Sequence, residues 1–240
     1  MNGLLVRVGI DHSYGHWNGP VNPESGRFVY IPIPEYFPIR PGLERSYREI
    51  LPFLQNFYSD LNLVFYFPLR LMDRYMHLDP DFQELTYGDI DGPRGRKIAN
   101  LRNGDLIAFY AGLRPIRKHN DRLFYALIGI YIVEEIITVS DIPEDRYREN
   151  AHTRRNIIQK SDLVVRAMKN QSGRLKKCIL IGEWRNRAYR VREDLIEKWG
   201  GLSVTDGYIQ RSAVPPSFLN PERFYRWLRD QKVKLVQDNN

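Results

Sequence analysis

The 240-residue chain contains a single cysteine, Cys178, so no disulfide can form within it. Small secreted domains that depend on disulfides are therefore excluded. No apolar run approaches the roughly 20 residues that span a bilayer. The apolar stretch near the N-terminus is interrupted by Asp11, too early for a signal peptide. We expect a cytoplasmic protein with no membrane partner.

The best-known catalytic signatures are also missing from the sequence. It has no GxGxxG and no GKS or GKT, which argues against a phosphate-binding loop of the Rossmann or P-loop type. It has no HExxH and no pair of cysteine ligands for zinc, and no GxSxG for a serine hydrolase. We therefore expect no cofactor.

What the chain does contain is a basic balance and many rings. Lysine and arginine number 36 against 29 acidic residues, for a net charge of +7, and 12% of residues are aromatic. A basic protein favours polyanionic partners such as nucleic acid. The hydrophobic share of 42% predicts a folded core, and no linker divides the chain. We expect one domain covering residues 1–240.

Hydrophobic periodicity predicts a mixture of strands and helices. Strands are predicted at 4–10, 104–113, 123–139 and around Cys178, and the 104–113 and 123–139 runs with their polar connection read as a hairpin. Helices are predicted at 47–63, beginning near Ile50 because of Pro52, at 144–163, and from Pro221 after an Asn220 cap. The predicted fold class is α+β, with a small, partly open β-barrel flanked by helices.

Acidic and histidine side chains are concentrated in two polar loops of the first hundred residues. The candidates for acid–base catalysis are Asp11, His77, Asp79 and Asp89. The alternation of His77 and Asp79 could hold a metal ion. Asp-Pro-Asp and Tyr-Gly-Asp are also ordinary turn sequences, and we assign no metal to them.

Cationic and aromatic side chains alternate along much of the chain. Such groups can neutralise phosphates and stack on bases. The candidates for nucleic-acid contact are Arg7, Trp17, Tyr87, Arg94, Arg96, Phe109, Tyr110, His152, Arg154 and Arg155.

Two resemblances to known protein families add to this interpretation. GDLIAFYAGL followed by ALIGIYIVEEI resembles the signature of PUA-like domains, the group that includes the ASCH, EVE and YTH families. The resemblance implies a PUA-like core at about residues 95–190, with N-terminal and C-terminal elaborations. Domains of this group typically hold a base, often modified or flipped, in a pocket beside the barrel.

The second resemblance covers most of the chain and is to the nucleotide-modification-associated domain, third class. It is carried by LVRVGIDHSYGHWNGPVNPESGRFVYIPIPE, HLDPDFQELTYGDIDGPRG, GDLIAFYAGL and NAHTRR. The matching residues are Arg7, Gly9, Asp11, Gly15, Pro32, Pro34, His77, Asp79, Tyr87, Gly88, Asp89, Gly104 and Asp105. His16 stands where the family pattern has a second glycine. The resemblance implies a role in a DNA-modification or restriction system.

Three functions remain open at this point. The first is recognition of a modified or flipped base, with nucleic acid as the partner and DNA favoured over RNA. The second is an enzyme acting on a nucleotide or nucleobase through the acidic and histidine residues of the N-terminal half. The third is a non-catalytic, partner-binding protein of such a system. The sequence leaves the oligomeric state and the occurrence of catalysis open.

Overall fold

The computed structural model describes residues 1–116, 122–210 and 214–240. In these ranges the strands are β1 (Gly3–Arg7), β2 (Pro20–Val21), β3 (Ile33–Pro34), β4 (Met76–His77), β5 (Thr86–Asp89), β6 (Leu106–Pro115), β7 (Phe124–Thr138), β8 (Leu163–Ala167), β9 (Gly173–Leu180), β10 (Gly182–Arg185), β11 (Ala188–Val191) and β12 (Leu235–Val236). The α-helices are α1 (Leu51–Ser59), α2 (Pro93–Ala99), α3 (Ala151–Arg154), α4 (Glu193–Trp199) and α5 (Pro221–Asp230). Short 3-10 turns lie at Tyr47–Ile50, Leu69–Leu71, Val139–Asp141, Glu144–Arg146 and Thr205–Gly207.

The main sheet is organised around the antiparallel pair β6 and β7. Strand β1 runs parallel to β6 on its other side. The 15-residue β7 serves two partners on its free edge, since its first half pairs with β9 and its second half with β8. Strand β5 then pairs with β8. The strands of this path therefore lie in the order β1, β6, β7, β8, β5. Strand β5 is at one end of the path, next to β8.

Both faces of this sheet are buried. Alternate residues of a strand point to opposite faces, and Val6 and Phe109 belong to one apolar cluster while Leu5 and Tyr110 belong to another. Helices α4 and α5 cover the second face, where Trp199 meets Phe224 edge-on. Burial on both sides explains why β6 and β7 read as nearly continuous apolar runs.

A third cluster lies against α1. Leu54 and Phe57 of that helix pack with Ile31 and Met76. The helix is therefore attached to the short antiparallel pair β3–β4. This pairing fixes the position of His77, the last residue of β4.

The expected α+β class is confirmed, but the expected barrel is not. The described strands form an open sheet whose path ends at β1 and β5, so the PUA-like core stays a prediction. The hairpin is confirmed as β6–β7, and residues 117–121 of its predicted connection lie outside the described residues. Among the described residues, no helix has the length and apolar character needed to span a bilayer.

The predicted helices have mixed outcomes. The helix predicted to begin near Ile50 and the C-terminal helix capped by Asn220 are both present. The prediction of a helix at 144–163 is wrong, because this segment holds one 3-10 turn and the four-residue α3 before β8 begins. Arg155 is already extended. Charged residues of the segment bond to distant parts of the fold, as Arg154 does to Asp81 and Arg155 to Glu35, and these contacts hold the chain in a conformation other than one long helix.

Candidate metal centre

His77 is placed by the β3–β4 pair and held by a carboxylate from the other side of that pair. Glu35 directly follows β3, and its Oε2 lies 2.7 Å from Nδ1 of His77. The other carboxylate oxygen, Oε1, accepts hydrogen bonds from the backbone N–H groups of Tyr36 (2.9 Å) and Phe37 (3.0 Å). Glu35 is therefore fixed by its own loop, and it fixes the His77 ring in turn.

His152 is placed by the start of α3. Asn150 caps this short helix, since its Oδ1 accepts the backbone N–H of His152 at 2.9 Å. Nδ1 of His152 lies 2.6 Å from Oδ2 of Asp162, the residue before β8. Each of the two buried histidines thus has a carboxylate behind it.

Asp79 lies between β4 and β5 and faces both rings. Its Oδ1 accepts hydrogen bonds from the Gly88 N–H (2.8 Å) and the Asn150 side-chain amide (3.1 Å). Its Oδ2 lies 3.8 Å from Nε2 of His77 and 3.8 Å from Nε2 of His152. The three ligand atoms all lie within 4.8 Å of one another. The three atoms would have to move somewhat closer together for each to lie at the roughly 2.0–2.2 Å from a central ion that a bound transition metal requires.

The tautomers of both histidines follow from their partners. An ionised carboxylate only accepts hydrogen bonds, so Nδ1 of each ring carries the proton at the short contacts with Glu35 and Asp162. Nε2 of each ring then keeps a lone pair directed toward Asp79. Carboxylates that hold histidines by the other ring nitrogen are the usual outer shell of protein metal sites.

Arg155 completes the charge arrangement behind the two rings. Its guanidinium lies 3.4 Å from Glu35 and 3.5 Å from Asp162. Its 3.4 and 3.5 Å contacts with Nδ1 of His152 and His77 are too long to replace the carboxylate contacts. When all three buried carboxylates are ionised, they and the one guanidinium together carry a net charge of −2. A divalent ion would neutralise this charge, which is costly to bury alone.

The pKa shifts of the cluster have the same origin. Burial raises the pKa of Asp79 well above its usual value, against the hydrogen bonds from Gly88 and Asn150. Burial would also raise the pKa of Glu35, but the His77 hydrogen bond and the guanidinium of Arg155 lower it to about 2. Burial lowers the pKa of His152 to about 4 despite its hydrogen bond with Asp162. At neutral pH His152 is thus uncharged, as a metal ligand must be.

Gly88 permits the close approach of these groups. It lies in β5 opposite Val164. A Cβ at this position would lie 2.4 Å from Cδ2 of His152 and 2.7 Å from Oδ1 of Asn150. Only glycine therefore lets β5 pass directly behind the imidazole while its N–H supports Asp79.

The candidate catalytic residues are only partly brought together. His77 and Asp79 join the cluster, and the charge of Asp89 is close enough to raise the pKa of Asp79. Asp89 itself accepts from the Tyr87 hydroxyl at 3.1 Å and lies 3.5 Å from Nε of Arg94. Asp11 pairs with Arg7 at 2.9 Å and accepts amides of its own loop. Among the contacts of the described residues, none joins Asp11 to the cluster.

The aromatic candidates for nucleic-acid contact are mostly buried. Tyr87, Phe109 and Tyr110 lie in the core, where packing against other side chains leaves no free ring face for a base. Trp17 is partly buried and meets Phe67 edge-on. To stack on a base, the first three rings would have to leave the core, and their contact with nucleic acid stays a prediction.

The basic candidates fall into two groups. His152, Arg154 and Arg155 are buried, and Arg154 donates to Asp81 at 2.7 Å inside the protein. Arg7 is bound to Asp11 and to the carbonyl of Gln210. Phosphate contact by these groups would require breaking ion pairs or hydrogen bonds that are buried or partly buried. Arg96 is exposed, Arg94 is partly exposed beside Asp89, and phosphate contact by either stays a prediction.

Sequence reasoning missed the supporting residues Glu35, Asp162 and Asn150, and it placed His152 among nucleic-acid contacts rather than ligands. Glu35 is 42 residues from His77, and Asn150 is 71 residues from Asp79. No local spacing reports such pairs. The usable signal was chemical, since metal-binding histidines need carboxylate or carbonyl partners.

One of the comparisons with known proteins identifies a family. A family model described as nucleotide modification associated domain 3 matches residues 2–201, a range that contains every residue of the cluster. No curated protein and no solved structure matches the chain.

Proposed function

The chain belongs to the nucleotide modification associated domain 3 family, and from this premise we propose that it is a metal-dependent enzyme acting on a nucleotide or nucleobase in a nucleotide-modification system. One observation carries the proposal. Nε2 of His77, Nε2 of His152 and Oδ2 of Asp79 converge, and each histidine is fixed from behind by a carboxylate. A protein that only recognised a base would not need this arrangement.

The ligand set narrows the choice of ion. Two imidazoles and one carboxylate suit first-row transition metals such as Zn²⁺ or Fe²⁺ rather than Mg²⁺ or Ca²⁺, which prefer oxygen ligands throughout. Three protein ligands leave coordination positions open for water or substrate, as in catalytic sites. An ion held this way lowers the pKa of a bound water or polarises a substrate atom. The chain's residues would hold the ion and orient its ligands.

Binding of Co²⁺ to chelator-stripped protein tests the ligand assignment. Co²⁺ substitutes for Zn²⁺ or Fe²⁺, and its visible absorption reports coordination by nitrogen and oxygen. We expect one equivalent of bound Co²⁺ with an absorption band that Asp79→Asn and His77→Gln remove. Matched controls are Asp73→Asn and His12→Gln, which change exposed groups of the same types. Wild-type protein that binds no Co²⁺, or Asp79→Asn protein that binds it normally, would refute the site.

Turnover is tested on the metal-loaded protein. A single-stranded DNA oligonucleotide and free deoxynucleotides are incubated with Zn²⁺-loaded and Fe²⁺-loaded protein, and the nucleosides are compared by mass spectrometry. We expect a metal-dependent change in one nucleoside that is lost with Asp79→Asn and kept with Asp73→Asn. If the protein binds the metal but no nucleoside changes, the ion has a structural role and the enzymatic part of the proposal is refuted.

A further inference from the structure

We propose that Tyr36 and Phe37 form a stacking platform for an unpaired nucleobase beside the metal centre. This inference rests on the proposed function for the identity of the site that it serves. The two rings are among the exposed aromatic side chains of the described residues, with 58% of Tyr36 and 50% of Phe37 accessible. They directly follow Glu35, which orients His77. The platform and a metal-supporting residue therefore share one loop.

Each of the two rings packs against the guanidinium of an arginine. The guanidinium of Arg155 lies 4.3 Å from the centre of the Phe37 ring, and that of Arg74 lies 4.7 Å from the centre of the Tyr36 ring. Arg155 is buried while Phe37 is half exposed, so the ring covers the guanidinium with one face and leaves the other toward solvent. Unpaired bases stack on exposed aromatic faces, and nearby guanidinium groups add attraction for the strand.

The platform is held rigidly, which lowers the entropic cost of binding. The Glu35 carboxylate accepts the backbone N–H groups of Tyr36 and Phe37. Beyond the rings, the Arg40 N–H donates to the carbonyl of Arg154 at 2.9 Å, and the Asn156 N–H donates to the carbonyl of Pro38 at 2.8 Å. The segment is thus fastened along the exit of α3, the helix that carries His152.

Electrostatics and position select the occupant. The Arg74 guanidinium lies against the exposed Tyr36 ring, in a chain of net charge +7 that belongs to a family associated with nucleotide modification. A strand with unpaired bases offers both a ring to stack and phosphates to attract. A paired duplex hides the faces of its bases, so the platform fits a single strand or an extruded nucleotide.

The test measures binding of fluorescein-labelled oligothymidylate by anisotropy at two salt concentrations, with saturating Co²⁺ and again with EDTA. We expect Phe37→Leu to weaken binding by about 5- to 150-fold, the range for loss of one stacked base, and Tyr36→Leu to weaken it as well. Phe37→Trp should keep or tighten binding because indole offers a larger face. The matched control Phe53→Leu changes a ring that is 45% exposed on α1 and should bind as the wild type does.

The outcomes separate this inference from the proposed function. Co²⁺ titration of Phe37→Leu should match the wild type, which shows that the metal centre is intact. Equal binding by Phe37→Leu and Phe53→Leu, no binding by wild-type protein, or equally tight binding of the duplex with oligoadenylate would overturn the platform. Protein that binds no Co²⁺ would refute the metal centre, while the Phe37→Leu comparison would still decide the platform.

Discussion

At the residue scale, the candidate metal centre depends on contacts that tolerate almost no change in volume or hydrogen bonding. His77 ends β4, Asp79 lies in the loop that follows it, and His152 lies in α3; each is oriented by a neighbour that is not itself a ligand. Outer-shell partners of this kind typically contribute 10- to 100-fold to metal affinity. Two substitutions test this scale.

Gly88→Ala should displace the imidazole of His152. The added Cβ would lie 2.4 Å from Cδ2 of that ring, and overpacking of a buried site typically costs about 1–3 kcal/mol of stability. We expect lower Co²⁺ affinity in titrations and a lower free energy of unfolding in urea. Gly92→Ala is the control, because its nearest neighbour would lie 3.8 Å away. Unchanged metal affinity in Gly88→Ala would contradict the geometry.

Glu35→Gln should weaken metal binding while leaving all three ligands in place. Glu35 uses both oxygens as acceptors, one for His77 and Arg155 and the other for the N–H groups of Tyr36 and Phe37, so the NH₂ of glutamine would face donors in either orientation. The amide also carries no charge to polarise the His77 ring. We expect Co²⁺ affinity to fall by about 10- to 100-fold, measured by calorimetric titration. Glu144→Gln, at an exposed acid in a 3-10 turn, should bind as the wild type does. A Glu35→Gln protein of normal affinity would show that Glu35 does not support the ion.

At the element scale, helix α3 and its cap residue link two of the proposed metal ligands. Helix α3 spans four residues, yet its cap residue Asn150 also donates to Asp79 and to Thr86 on β5. The cap thus connects the helix that carries His152 to the carboxylate that faces it. Such a short helix is not stable by itself, so its place depends on these side-chain bonds.

Asn150→Ala should therefore cost more than the loss of an ordinary cap. Removing a cap costs about 1 kcal/mol, and buried groups left without partners bring the total to about 2–4 kcal/mol. The control is Asn220→Ala, which removes the cap of α5, where the side chain accepts the Arg223 N–H. Urea unfolding should show the larger loss for Asn150→Ala, and Co²⁺ titration should show weaker binding only there. Equal losses would indicate that Asn150 acts only as a cap.

The elements also show how far the sequence could predict this fold. Strand β1, the β6–β7 hairpin and helix α5 were predictable because local apolar periodicity and capping residues determine them. The segment that holds α3 was wrongly predicted as a long helix, because its charged residues resemble a solvated helical face. In the structure Asn150, His152 and Arg154 are buried and bonded to distant residues. Long-range pairing of this kind leaves no periodic trace.

The candidate metal centre was likewise predictable only where neighbouring residues in the sequence carry the signal. His77 and Asp79 were visible as a histidine and an acid two residues apart, in a loop that resembles the family pattern. Asp11 has the same chemistry and the same resemblance, but its carboxylate serves its own loop and Arg7. A single sequence does not distinguish these two uses of an aspartate. The exposed rings of Tyr36 and Phe37 were overlooked, because only the fold shows which aromatic residues reach the surface.

At the scale of the whole molecule, the buried His152 should make the stability of metal-free protein depend on pH in the mildly acidic range. The pKa of His152 is lowered from 6.5 to about 4 by burial. Between these values the unfolded chain binds a proton at His152 that the folded chain does not, so the contribution of His152 to stability rises with pH, while the raised pKa of Asp79 contributes with the opposite sign. The stabilising contribution of His152 is therefore fully present above pH 6.5 and is lost as pH falls toward 4, by about 3 kcal/mol.

Urea unfolding of EDTA-treated protein across this pH window measures the effect. His152→Gln should flatten the dependence because it removes the group that titrates differently in the two states. His12→Gln, at an exposed position, should leave the dependence as it is in the wild type. A steep dependence that persists in His152→Gln would assign the acid sensitivity to another group.

The central claim is that one divalent ion binds between His77, Asp79 and His152. Crystals grown with Zn²⁺ and measured on both sides of the zinc absorption edge test it most directly. We predict one strong anomalous peak at about 2.0–2.2 Å from Nε2 of both histidines and Oδ2 of Asp79. A map without a peak at this position, or with zinc bound only at surface residues, would contradict the account.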